Sequence, residues 1–166
     1  MPKAVSILFG ALFTIAIAYA MGRVFLQRLR IKLTREEELI FGFVAGAPLL
    51  SLLLFCLASV HLIYDGVLFV MGLGVLGYAW NQKAFTFSGE CLPALPRLWR
   101  WTFWPVYAVF AVVCAIYAMA PEWSPDGSSY HLGVLAHYYR AHGFVKLQSN
   151  MYANLSQGVE MLYLNA

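Results

Sequence analysis

The sequence predicts an all-α integral membrane protein: a polytopic transmembrane helical bundle of about four spans plus the start of a fifth, with an outer juxtamembrane helix. Three observations predict it. Hydrophobic residues make up 61% of the chain and charged residues 11%, well under the ~25% charge usual in a soluble domain. The apolar residues fall into runs of membrane-spanning length. The basic residues collect between particular runs, which sets an orientation.

The first span is expected near residues 4–22, where Ala4 to Gly22 is almost wholly apolar and long enough for a ~30 Å hydrocarbon core. A secretory signal is the rival, because Lys3 precedes the run and Ala18-Tyr19-Ala20 resembles a cleavage site. The run exceeds the ~7–15 residues of a signal core, and cleavage would leave a basic segment outside. Arg23 to Glu38 reads as a charged connector. Within it Thr34 and Glu37 have capping-box spacing, and the triplet Glu36-Glu37-Glu38 reads as a solvated helix start rather than catalytic machinery.

The second span is expected near 39–60, with Gly42-x-x-x-Gly46 permitting close helix approach and Pro48 as a kink site. The third is placed near 62–80. Asp65-Gly66 is read as the turn of a helical hairpin, which would leave a short helix over Val67 to Trp80. Gly72-Leu-Gly-Val-Leu-Gly77 spells G-x-G-x-x-G, but that fingerprint requires a preceding strand. Inside a membrane helix its glycines are read as packing residues. Asn81 to Trp101 is a polar connector broken by Pro93 and Pro96, and the fourth span follows near 103–120. Gly158 to Ala166 turns apolar again and reads as the first turns of a fifth span, 161–166 being its start, which at ~1.5 Å per residue is too short to cross.

Orientation follows from charge. Arg23, Arg28, Arg30, Lys32 and Arg35 lie in the first connector and Lys83, Arg97 and Arg100 in the second. These eight of the eleven basic residues mark the cytoplasmic side. Residues 121–160 then form an extracytoplasmic loop. Trp80, Trp99, Trp101, Trp104 and Trp123 fall near span ends, as an interfacial aromatic belt requires. No basic patch with interleaved aromatics is present, so nucleic acid is excluded as a partner. Cys56, Cys91 and Cys114 form no CxxC motif, and no Cys/His cluster suggests zinc.

Pro121 to Glu160 is the long polar segment of the chain and carries its candidate chemistry. Ser124-Pro-Asp-Gly127 has turn composition. Ser128 to His142 is expected to form an interfacial helix, closed by Gly143 as C-cap. His131, Leu135 and Tyr138 share one face; Leu132, Ala136 and Tyr139 share the neighbouring one. His131, His137 and His142 are spaced six and five apart, which does not gather them on one face for a metal. Asn154-Leu-Ser156 is a formal glycosylation sequon, meaningful only in a eukaryotic secretory host.

The pattern Pro121-x-x-x-x-Asp126-x-x-x-Tyr130-His131, then a short helix ending at Gly143, Tyr152 and Glu160-Met-Leu-Tyr163, resembles the first large outer loop of the GT-C superfamily of membrane glycosyltransferases. The likeness is to the RgtA/B/C/D-like and dolichyl-phosphate-mannose-type groups. It covers 121–166, about a quarter of the chain. It implies the N-terminal part of an enzyme that moves a sugar from a polyprenyl-phosphate donor to an extracytoplasmic glycan or lipid acceptor. It also implies a multi-pass protein of a bacterial inner membrane; because Gly158 to Ala166 alone cannot cross, the fragment by itself is expected to be inactive. The resemblance puts the essential acid at Asp126 and offers Tyr130, His131, Arg140 and Glu160 as substrate-binding candidates. Where many members carry Asp-Glu, this chain carries Asp126-Gly127. Glu122 and Glu160 are the more distant acids that could partner Asp126. No cofactor is evident, and nothing in the residues supports a divalent metal.

The chemistry is coherent. A hydroxyl acceptor must lose its proton as it attacks the anomeric carbon, and the departing phosphate needs a cation or a metal nearby, for which Arg140 and Lys146 are the candidates within this sequence. The plain alternative for Asp126 is a turn or N-cap residue, and for Tyr130, Tyr138 and Tyr139 an interfacial anchor. At the level of the whole chain the alternative is a small non-catalytic scaffold or assembly protein. A transporter would carry ionisable groups within its spans, and only His61 and Asp65, both near an end, qualify.

Overall fold

Glycine decides how the first two helices meet. In the computed structural model, which describes residues 3–87, 89–94, 96–120, 124–148 and 158–166, α1 (Lys3–Leu29) and α2 (Arg35–Ser59) form an antiparallel pair. A Cβ on Gly22 would collide with the Gly42 carbonyl, and one on Gly46 with the Ala18 carbonyl. The Gly42-x-x-x-Gly46 spacing therefore works as expected, with Gly22 as its counterpart on α1. Pro48 lies inside α2 without ending it.

The charged connector is much shorter than the sequence suggests. Helix α1 continues to Leu29 and α2 starts at Arg35, so Arg23 and Glu38 are helical rather than parts of a loop. Both are buried, at 2% and 5% exposure, and the Arg23 Nη2 lies 3.1 Å from the Glu38 carboxylate. Arg23 also donates through Nε to the Ala84 carbonyl at 3.0 Å and through Nη2 to that of Thr86 at 3.1 Å. The expected solvated glutamate face is thus corrected for Glu38. An ion pair tolerates burial only when its remaining donors are also satisfied, and the carbonyls of the second connector do that here. Glu37 does close the capping box: its carboxylate accepts from the Thr34 amide at 2.8 Å, and its own amide donates to the Thr34 hydroxyl at 3.4 Å. Glu36 accepts from the Leu92 amide at 3.0 Å. The Phe87 ring lies 5.8 Å from the Arg23 guanidinium and 5.0 Å from that of Arg35.

Helix α3 spans Asp65–Asn81. Asp65-Gly66 is its first turn, not the hairpin turn expected; that turn is made by residues 60–64. Seventeen residues give about 25 Å of helix, short of a full crossing. Helix α4 spans Arg97–Met119 and begins six residues before Phe103, the expected start. Three helices are long and apolar enough to cross a membrane: Val5–Leu29, Arg35–Ser59 and Arg97–Met119. No described residue of α4 is buried. Among the described residues there is no strand.

The apolar core lies toward the end that carries the α2–α3 turn, here called the distal end. Ile17, Leu50, Leu54, Ala58, Ile63 and Leu68 meet Val134, Leu135 and Tyr138 of α5 (Leu132–Arg140) and Met161 and Leu164 of a terminal 3-10 turn (Glu160–Leu164). Of the three glycines in Gly72-x-Gly-x-x-Gly, only Gly72 packs within the chain: a Cβ there would lie 2.5 Å from Phe13 and 2.6 Å from Ile17.

Four turns after helices place a non-glycine residue in the left-handed region: Arg30, His61, Lys83 and His142, with φ between 54° and 57°. At His61, Lys83 and His142 the hydrogen bonds are those of a Schellman motif, for example Gly143 N–H to the Tyr138 carbonyl at 2.9 Å and His142 N–H to that of Tyr139 at 3.1 Å. His142, not Gly143, therefore takes the left-handed position expected of the glycine. Gly143 instead permits contact, since a Cβ there would lie 2.5 Å from the Ala58 carbonyl. At Arg30 and Lys83 the cationic side chain at a helix C-terminus offsets part of the strain through the helix dipole.

Two outcomes follow for stability. Arg23→Ala strands the Glu38 carboxylate and is expected to cost about 3–5 kcal/mol, read as the shift in a denaturation midpoint in detergent micelles. Lys83→Gly relieves the left-handed strain and is expected to stabilise by up to about 1 kcal/mol, read in the same assay; a loss of stability there would refute the strain argument.

Candidate distal-end site

The helix that carries the candidate residues starts earlier than the turn composition suggests. Ser124 is its N-cap, its hydroxyl accepting from the Gly127 amide at 2.8 Å, and Pro125 takes the first helical position, which suits its fixed φ. Asp126 lies in this first turn. The segment Gly127–His131 is a π turn, closed by the Leu132 amide on the Gly127 carbonyl, and α5 continues from it. Asp126 is thus a first-turn helical residue, exposed to solvent, where its charge favours the helix N-terminus.

The two sides of α5 differ in environment, with Leu135 touching both core and groove. Leu135 and Tyr138, with Val134, enter the core. Leu132, Ala136 and Tyr139 line a groove of about 880 Å³ between α5, α1 and α3. Burial raises the Tyr138 phenol above its usual 10.0.

Polar contacts fasten this end. The His142 Nδ1 donates to the Ile63 carbonyl at 2.8 Å, and the Ile63 amide donates to the His142 carbonyl at 3.0 Å. The His142 ring stacks on Tyr64 with centroids 3.9 Å apart. The Phe144 amide donates to the Ala58 carbonyl at 3.1 Å. Helix α5 is thereby locked to the α2–α3 turn. Residues 158–166 are held by three further contacts. The His131 Nδ1 donates to the Glu160 carboxylate at 2.7 Å, Asn165 Nδ2 donates to the Thr14 hydroxyl at 3.0 Å, and the Ser51 hydroxyl donates to the Gly158 carbonyl.

The structure therefore brings together two of the expected site residues, His131 and Glu160, 29 positions apart. Glu160 faces His131, which gives it a partner other than Asp126. Arg140 and Lys146 are exposed, Arg140 in the last turn of α5. Tyr130 lies in the π turn, but its side chain is outside the described residues, as are Glu122, Trp123, Tyr152 and the sequon at Asn154. Among the described residues no three His, Cys, Asp or Glu side chains converge as a metal site.

Sequence reasoning missed the carboxylate that lines the groove. Asp65, read as a turn residue, accepts a hydrogen bond from the Tyr139 hydroxyl, and both line the cavity with Phe9 and Phe13 of α1 and Tyr163 near the chain end. The hydrogen bond to Asp65, with burial and the aspartate charge, raises the Tyr139 phenol above its usual 10.0. The amphipathic face bearing Tyr139 was visible; its pairing across 74 positions was not, because it depends on where the α2–α3 turn falls.

No protein-family model, no curated protein and no solved structure matches this chain.

The Tyr139–Asp65 contact makes a pH prediction. A phenol whose folded-state pKa is raised adds stability that is present below pH 10.0 and lost as pH rises through the raised value. Asp65→Asn should bring the Tyr139 titration back toward 10.0 and shrink this alkaline loss, seen by ultraviolet tyrosinate titration against a Tyr139→Phe reference.

Proposed function

We propose that this chain is the N-terminal part of an integral membrane glycosyltransferase that transfers a sugar from a polyprenyl-phosphate donor to an extracytoplasmic acceptor. The observation that carries the reading is the placement of Asp126. Its carboxylate is exposed on a helix docked at the bundle end, and about 9 Å along that helix Leu132 opens a groove of about 880 Å³ lined largely by apolar side chains. A carboxylate free to meet an aqueous acceptor and a groove suited to a lipid chain are the two surfaces such a reaction needs.

On this reading the cation-rich connectors face the cytoplasm of a bacterial inner membrane, and the short α3 also crosses, with little tilt or where the bilayer is thinned. Asp126 takes the proton of the acceptor hydroxyl as its oxygen bonds to the anomeric carbon. The bond from that carbon to the carrier phosphate breaks, and its electron pair leaves with the polyprenyl phosphate. Arg140 and Lys146 are the exposed cations of the same segment that would stabilise that anion. Inversion at the anomeric carbon is what the family resemblance implies.

One observation favours a second reading. Helix α4 buries none of its residues within the chain, as a non-catalytic scaffold that lends a helix to a partner would. The two readings separate on one variant. Asp126→Asn in the full-length protein should lower transfer by at least about 100-fold at unchanged protein level, because the side chain is exposed. Undiminished transfer at normal level would remove the catalytic assignment and leave the scaffold.

A further inference from the structure

A second groove lies on the side of the bundle, away from the distal end. It measures about 550 Å³ and runs between one face of α1 and one face of α3. On α1 the face is Ala20, Met21, Val24, Phe25 and Arg28; on α3 it is Met71, Gly74, Val75 and Tyr78, and Leu49 of α2 completes the lining. The two helices run parallel here, since Phe13 meets Phe69 toward one end and Arg28 meets Tyr78 at the other. From Ala20 to Arg28 the slot is about 12 Å long.

Three observations together point to its occupant. First, an exposed glycine lines the groove: a Cβ added at Gly74 would meet nothing within 4 Å. This glycine packs no helix of this chain; it leaves width. Second, the walls are apolar until the connector end, and Met21 and Met71 face the slot from opposite sides, flexible side chains that adapt to an irregular apolar guest. Third, the slot ends at a cation. Arg28 donates from Nη2 to the Tyr78 hydroxyl at 2.9 Å, a neutral partner, and among the described residues no carboxylate lies within 4.0 Å of its guanidinium. Arg28 is exposed and its guanidinium has five donors, so most of its capacity faces outward. An apolar slot between membrane helices that ends at an unneutralised arginine is complementary to an acyl chain with an anionic head.

We infer that the α1–α3 groove binds one acyl chain of an anionic phospholipid, with Gly74 providing the width and Arg28 and Tyr78 holding the phosphate. The site is independent of the transferase reading, because none of its residues lies in the distal-end groove. Any bilayer lipid can touch a helix; this geometry selects by charge at one end and by width in the middle.

The test is native mass spectrometry of the full-length protein released from nanodiscs of equal phosphatidylglycerol and phosphatidylcholine. The wild type should retain one phosphatidylglycerol in preference to phosphatidylcholine. Gly74→Trp, which fills the slot, should reduce retention at least tenfold. Gly77→Trp is the folding control, since Gly77 is equally open but lies outside the groove; it should retain lipid as the wild type does. Arg28→Gln should abolish the preference between the two lipids. Absence of bound lipid from the wild type, equal retention of both lipids, or undiminished retention by Gly74→Trp would each overturn the site. So would a wild-type dimer that Gly74→Trp breaks, which would show a second copy in the groove.

Discussion

The bundle is built outward from the line along which α1 and α2 touch backbone to backbone. Gly22, Gly42 and Gly46 leave no room for a side chain between the two helices, and both ends of the molecule take their geometry from that contact. Arg23 follows Gly22 directly, and Glu38 lies one turn before Gly42, so the same approach that brings the glycines together brings the ion pair to 3.1 Å. A wider separation would part the charges and leave each buried in a low dielectric, where an unpaired ion is costly. The guanidinium then reaches the carbonyls of Ala84 and Thr86. That fixes the start of the second connector over the ends of α1 and α2. Backbone proximity, charge pairing and loop placement form a single chain of cause at this end.

At the distal end the same pair of helices offers a cleft rather than a charge. Ile17 of α1 and Leu50, Leu54 and Ala58 of α2 are fully buried, but not by α1 and α2 alone. The cover comes from α5 and from residues 158–166, two segments far away in sequence. Backbone groups at the end of α2 and in the α2–α3 turn carry much of the docking: Ala58 and Ile63 use their carbonyls, and Ile63 its amide, to hold His142 and Phe144. That is why His142 accepts a left-handed backbone and Gly143 does not need one. The glycine is required where the chains come within contact distance, and the left-handed position falls one residue earlier.

Much of this was legible in the sequence, and the limits have physical causes. Helical class and membrane character follow from composition and run length, which are local properties. The Thr34–Glu37 capping box and the Gly42–Gly46 contact follow from spacing within one helix, and both are present. The two sides of α5 were likewise readable from periodicity, though not which would face the core and which the groove. What stayed hidden depends on pairing between distant segments. Glu38 looks solvated until Arg23 is seen 3.1 Å away, and Asp65 looks like a turn residue until α3 is seen to begin there. Ser124 was visible as a turn former, but its role as the N-cap that puts Asp126 in a helical first turn depends on where the helix starts. Charge patterns alone also overstate connectors, because a basic residue inside a helix and one in a loop look identical in a linear string.

The attachment of residues 158–166 has a consequence for the distal groove. Met161 and Leu164 insert into the core, so burial of apolar surface supplies the attraction. The register of the insertion is set by polar contacts at its edges, His131 to Glu160 at one side and Asn165 to Thr14 at the other. Between them, Tyr163 to Ala166 line the groove and the Ala166 backbone presses against Gly10 of α1. The wall of the cavity on that side is therefore a short 3-10 turn held at both edges rather than a continuous helix. The opposite walls, α3 and α5, are joined by the Tyr139–Asp65 contact. A guest entering the groove would leave the α3–α5 wall in place and meet its least regular boundary at residues 163–166, where geometry is fixed by two hydrogen-bonded side chains and a glycine contact.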